Sequence, residues 1–264
     1  MQKKRLIAIL VPAAIVINVL FYGKAFTTNK DEGGISPGVQ EGIVYFAHGE
    51  LEQAIKAFTG AIKKNPKDYP AYFQRAQLYD HMGKFSEAIR DYTEVINTCP
   101  EYSLRNYSYY YRGRAYQTKR MLAEAMADYS TLIEIREASN LLRANAYNNR
   151  GLAYNTMLSF DNAIRDYFKA MELTPDLKNV YYNCAVSYLN KGLYDAALSY
   201  FQKELKFYPS SFVSRRYISA ITYYKDKNYR RSWYQVFQLG QRKEKVSPIF
   251  VEELKRCLRK SPNK

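Results

Sequence analysis

Few side chains of this 264-residue chain are suited to chemistry. His48 and His81 are its only histidines, and both fall beside expected turns between helices, where a surface role suffices. Cys99, Cys184 and Cys257 lie far apart, make no metal-ligand spacing, and by their odd count argue against a full disulfide framework. Cys184 falls at a helix-packing position and is expected to be a buried thiol. No Ser or Cys is placed to form a nucleophile pair. There is no glycine-rich phosphate loop, no H-E-x-x-H and no G-x-S-x-G. The expectation is a protein without catalysis, cofactor or metal.

What recurs instead is an arginine and an aspartate at a fixed offset: Arg75 with Asp91, Arg112 with Asp128, Arg150 with Asp166. At the corresponding places stand Glu41 with Ala57 and Cys184 with Tyr200, so both members are lost together. Positions that change together within one chain predict a contact. A bidentate guanidinium–carboxylate pair there would fix the angle between two helices.

The helices are legible in a second periodicity. A small residue precedes a Tyr by three positions at Gly42/Tyr45, Ala76/Tyr79, Gly113/Tyr116, Gly151/Tyr154 and Ala185/Tyr188. Downstream of each comes an Ala with an aromatic four positions later: Ala54/Phe58, Ala88/Tyr92, Ala125/Tyr129, Ala163/Tyr167 and Ala197/Phe201. Spacings of three and four keep each pair on one helical face. The small residue lets two helices approach, and the aromatic fills the hollow beside it. The stretches "AHGEL", "HMGKF", "MLSFD" and "NKGLY" mark turns midway through four units, and Pro66, Pro100, Pro175 and Pro209 end them. Glu137 stands at that place in the third unit. Two longer intervals put extra residues near 101–105 and 138–143, and the second insertion is expected to lengthen a helix by about one turn.

This pattern resembles the tetratricopeptide repeat, a helix–turn–helix unit of about 34 residues. The resemblance covers residues 35–209 as five copies, about 35–68, 69–102, 106–139, 144–177 and 178–211. Residues 212–246 read as a degenerate sixth, with Ala220, Tyr223, Ser232 and Val236 near the signature offsets. Residues 247–264 read as a basic capping helix and tail. The resemblance implies an all-α, right-handed superhelical solenoid of about six helix pairs, preceded by one N-terminal apolar helix. It also implies a concave groove lined by the first helix of each repeat. Carried onto this chain, the groove positions are Phe73, Gln74 and Gln77, then Tyr110, Tyr111 and Arg114. Asn145, Asn148, Asn149 and Asn155 follow, then Asn179, Tyr182 and Asn183. Amides both donate and accept, which suits the backbone of an extended peptide, and Tyr adds rigid apolar area. Asn149 matches the central Asn of the family's carboxylate clamp. Tyr110, Asn179 and Asn183 replace its cationic residues, so a chaperone-type clamp is not expected.

Charge is uneven. Residues 35–202 carry nineteen basic and eighteen acidic side chains, residues 203–264 sixteen and five. Arg215, Arg216, Arg230, Arg231, Arg242, Lys243 and Lys245 form a candidate basic patch, which would attract an anionic polymer or lipid headgroup. At the other end, the basic flank 1–5 precedes an apolar run, 6–22, about 25 Å long as a helix against a hydrocarbon core of about 30 Å. The run is expected to be an uncleaved signal anchor, with Lys3, Lys4 and Arg5 cytoplasmic and the repeats extracytoplasmic, periplasmic or at the cell surface. The other expectation is export after cleavage near Ala25. Residues 23–37 read as a flexible linker. The functional expectation is a non-enzymatic adaptor, tethered at a membrane, that binds a protein or extended peptide in its groove. The alternative is a basic solenoid that binds an anionic partner through residues 203–264.

Overall fold

A computed structural model describes residues 35–244 and 246–261, so the expected apolar helix, linker start and Lys245 lie outside the described residues. Among the described residues there are thirteen α-helices and no strand. They are α1 (Pro37–Ala47), α2 (Leu51–Lys64), α3 (Tyr69–His81), α4 (Phe85–Thr98), α5 (Tyr102–Thr118), α6 (Leu122–Glu134) and α7 (Asn140–Thr156). Then come α8 (Phe160–Leu173), α9 (Val180–Asn190), α10 (Tyr194–Phe207), α11 (Phe212–Lys225), α12 (Tyr229–Gln241) and α13 (Pro248–Lys260). Two compact units divide between Asp128 and Tyr129, within α6. Each unit is built from consecutive antiparallel pairs, α1 with α2 and α3 with α4 in the first, α7 with α8, α9 with α10 and α11 with α12 in the second.

Every turn within a pair closes the same way. The residue after the helix cap takes positive φ: Gly49, Gly83, Arg120, Leu158, Gly192 and Lys227. Its successor's N–H reaches back to the carbonyl of the signature tyrosine, as in Glu50 to Tyr45, Lys84 to Tyr79, Ser159 to Tyr154 and Leu193 to Tyr188, at 2.8–3.0 Å. This is the αL helix stop, which satisfies carbonyls the helix leaves unpaired. Glycine enters that region without steric cost, whereas Arg120, Leu158 and Lys227 enter it strained.

The prolines act one residue later than the helix ends. Asn65, Cys99, Thr174 and Tyr208 are the C-caps, all with extended ψ of 72–125°. A residue before proline is driven out of the helical region by the ring's Cδ. Both insertions lengthen first helices: α5 and α7 have 17 residues against 13 in α3, about one extra turn each.

The small–aromatic code forms the core. A Cβ added at Gly42 would lie 2.3 Å from the Phe58 ring, and one at Gly151 would lie 2.7 Å from the Tyr167 ring. In the first unit Phe73, Tyr92 and Leu104 are fully buried; in the second, Tyr167, Phe201 and Tyr217 are. Each such side chain contributes roughly 1.5–3 kcal/mol by leaving water. The C-terminal helix α13 buries Phe250 and Leu254 against α11 and α12. Its N-cap Ser247 accepts from Phe250 N–H at 3.1 Å and donates to Asn190 Oδ1 at 2.5 Å.

Candidate functional site

The expected arginine–aspartate contacts are present and bidentate. Arg75 donates from Nε and Nη2 to Asp91 at 2.7 and 2.9 Å, Arg112 to Asp128 at 2.9 and 2.7 Å, and Arg150 to Asp166 at 2.8 and 2.9 Å. The remaining Nη1 of each donates to a hydroxyl on the second helix of the preceding repeat: Thr59, Thr93 and Ser130, at 2.9–3.0 Å. Each arginine therefore joins three helices. The hydroxyl partner was not read from the sequence, although a Thr or Ser directly follows Phe58, Tyr92 and Tyr129. The hydrogen bond it donates to Asp166 raises the Arg150 pKa above its usual value. These charges are consumed in holding the helices, which leaves the faces of the first helices for contact with other molecules.

In the first unit α3 and α5 lie side by side. Phe73 is fully buried between them, edge-on to Tyr92 and Tyr111 at 5.8 and 5.9 Å between centroids. Gln74 is buried as well, so both underlie the face and support it from within. Gln77, Tyr110 and Tyr111 are partly exposed and Arg114 is exposed. Tyr110 meets Tyr111 edge-on at 5.2 Å, and the Arg114 guanidinium lies 5.9 and 5.6 Å from the two ring centroids. This is an aromatic shelf with a cation at its edge. Asp80, on the same face of α3, was missed in the sequence; burial raises its carboxyl pKa and Arg114 opposes the shift.

In the second unit the amides largely serve one another. Asn183 Nδ2 donates to Asn148 Oδ1 at 2.9 Å, and Ser187 Oγ donates to Asn155 Oδ1 at 3.2 Å, so α7 and α9 are joined by polar side chains. Asn148 and Asn183 are buried. Asn145 Nδ2 donates to the Leu141 carbonyl of its own helix at 2.8 Å. Asn149 is partly exposed beside Asn148, and Asn179 is exposed with φ of 66° ahead of α9. Tyr182 packs against Phe201 and Tyr217 at 5.9 and 6.4 Å. Burial pushes its hydroxyl pKa upward. The exposed remainder of this face is smaller than the sequence pattern alone implies.

The basic residues fall around α11 and α12. Arg215, Arg230, Arg231, Arg242 and Lys243 are exposed, while Arg216 donates to Gln235 Oε1 at 2.6 Å. His48 and His81 are exposed at the ends of α1 and α3, and Cys99 and Cys184 are buried thiols. Burial pushes the Cys184 thiol up, away from thiolate chemistry. A cleft of about 580 Å³ between α1 and α2 is lined by Ser36, Glu41, Tyr45, Lys56, Lys64 and Asp68, and within it the Ser36 hydroxyl donates to Asp68 at 2.6 Å. Among the described residues no group of His, Cys, Asp and Glu is arranged to hold a metal ion. No described helix is long and apolar enough to cross a membrane.

These features define a protein of tandem helix pairs whose polar chemistry serves packing and whose first-helix faces offer contact surface. The tetratricopeptide repeat profile matches residues 57–90, 144–177 and 179–211. Human Tetratricopeptide repeat protein 6 is 31% identical over 178 residues, covering 66% of this chain and 32% of that protein. The Hsp70-Hsp90 organizing protein 2 of Arabidopsis thaliana is 35% identical over 69 residues, covering 26% of this chain and 12% of that protein. The chain thus spans a third or less of the length of these curated relatives. A tetratricopeptide repeat protein from Parabacteroides merdae superposes with a TM-score of 0.64 at 19% identity, covering 84% of each chain, a likeness of fold. Repeats of this kind generally serve as protein-interaction scaffolds without catalysis.

Proposed function

We propose that this chain is an adaptor tethered at a membrane through residues 6–22, which holds a protein or extended peptide segment against its first-helix faces. The supporting observation is the shelf of Gln77, Tyr110, Tyr111 and Arg114, partly open to solvent and backed by the buried Phe73 and Tyr92. Rings locked from beneath lose little entropy on binding, so a ligand gains from them more fully. In the second unit Asn149 and Asn179 form a candidate surface of their own. The repeats are placed on the extracytoplasmic side, because Lys3, Lys4 and Arg5 favour the cytoplasm. Release after cleavage near Ala25 is the variant of this reading for an exported form.

The test is capture of a partner by the immobilised full chain from native membranes, repeated with Tyr110→Ala and Arg114→Ala. The reading expects the partner to be lost with the variants. A partner retained by both would refute the shelf. For the tether, the intact protein should resist alkaline carbonate extraction and keep Met1, whereas a mature terminus at Phe26 would rule out the anchor.

A further inference from the structure

The C-terminal pair α11–α12 departs from the pattern of the other repeats in its charge. In three repeats the arginine between helices is neutralised by a buried aspartate. In α12 the aspartate's place is taken by Gln235, which accepts from Arg216 at 2.6 Å and leaves its charge uncompensated. Phe212 is flanked by two guanidinium groups, Arg242 at 3.9 Å and Arg216 at 4.9 Å from the ring centroid. Arg231 lies 5.8 Å from the Tyr223 ring. Among the described residues Arg215, Arg216, Arg231, Arg242 and Lys243 make no ion pair. Helix α12 itself contains no Asp or Glu.

The solvent side of α12 adds apolar area to this charge. Ser232, Val236 and Leu239 are its buried residues. At about 100° per residue the opposite side carries Arg230, Tyr234, Phe237 and Gln241, with Arg231 and Arg242 on its flank. Tyr234 is 57% exposed and Phe237 48% exposed, one turn apart. Two large aromatics held in water beside Arg231 and Arg242 match the interface of an anionic bilayer, which accepts rings at headgroup depth and cations at its surface. A nucleic acid duplex would satisfy the cations alone and leave the rings in water. We propose that the outer face of α12, with the Arg216–Phe212–Arg242 cluster at its flank, is a docking surface for anionic membrane lipid. It stands independently of the groove reading.

Trp233 is the only tryptophan of the chain and lies on α12, half-buried at the edge of this face, so it reports contact there. The experiment adds the full chain to vesicles of phosphatidylcholine, with or without phosphatidylglycerol, their acyl chains brominated to quench tryptophan. Quenching is expected with the anionic vesicles, weakened by salt. It should be about thirtyfold weaker in apparent affinity for Arg231→Gln/Arg242→Gln, given the attraction of each of the two cations to an anionic surface. Tyr234→Ser/Phe237→Ser, at exposed positions that leave the core intact, should also weaken it. Equal quenching by the neutral vesicles, or quenching unchanged in both variants, would overturn the proposal. So would a Trp233 response to an oligonucleotide in place of vesicles.

Discussion

Removing one end of an arginine–aspartate contact should cost different amounts depending on which end goes. At the Arg150–Asp166 pair the aspartate side chain is 6% exposed and the arginine 19%. Arg150→Ala strands a buried carboxylate, deletes two charged hydrogen bonds and the 2.9 Å bond to Ser130, and should cost about 3–5 kcal/mol. Asp166→Ala leaves a long side chain already near water, free to turn its guanidinium outward, and should cost about 1.5–3 kcal/mol. The double variant should cost clearly less than the sum, with a coupling of at least about 1 kcal/mol. Arg150→Lys should not restore stability, because an ammonium cannot reproduce the two-pronged contact. The assay is urea unfolding followed by far-UV circular dichroism and by Trp233 emission, since repeat arrays need not unfold in one step. Additivity within about 0.5 kcal/mol, or a greater cost for Asp166→Ala, would refute this reasoning.

Three further outcomes follow from the same geometry. Gly151→Ala places a Cβ 2.7 Å from the buried Tyr167 ring and should destabilise by about 1–3 kcal/mol, while Gly60→Ala, with nothing within 4 Å, should stabilise by up to about 1 kcal/mol. Leu158→Gly should stabilise modestly in the same melts: a leucine at φ of 60° costs about 1–2 kcal/mol, and glycine's own entropy cost of about 0.5–1 kcal/mol is smaller. Glu204 is buried with one 3.3 Å contact to Tyr182 N–H, and burial raises its pKa in the folded chain. A raised carboxyl pKa means stability falls as pH rises through that range. Glu204→Gln should therefore be the more stable chain at pH about 7, and its advantage should vanish below the ordinary glutamate pKa of about 4.3 in a series of melts across pH.

The repeat period, the helix ends and the arginine–aspartate contacts were legible because each rests on local spacing. A residue before proline must leave the helix, and a small residue opposite an aromatic must sit at a close approach. The turn at Lys119–Met121 was harder to see, because Arg120 occupies a conformation that glycine marks in its neighbours. The candidate site was less legible. Position along a helix does not distinguish a side chain that faces solvent from one that faces the next helix, so Phe73, Asn148 and Asn183 read like their exposed neighbours. Whether an amide is free depends on its counterpart about 35 residues away, as for Asn148 and Asn183. Asp80 escaped notice because a lone aspartate near a helix end reads as a solvated charge until Arg114 is found facing it.

The central claim is that the first-helix face, rather than the basic end, holds the protein partner. It is tested most directly by titrating the captured partner into three forms of the full chain at low and moderate salt: the native protein, Tyr110→Ala/Arg114→Ala, and Arg231→Gln/Arg242→Gln. A single anchoring contact is worth about 1–2 kcal/mol, so the face variant should bind tenfold or more weakly, about 1.4 kcal/mol per decade. The arginine variant should match the native protein, and salt should change affinity little, since the Debye length of about 10 Å at 0.1 M screens charge but not packing. Native affinity in the face variant, with loss in the arginine variant and steep salt dependence, would contradict the account.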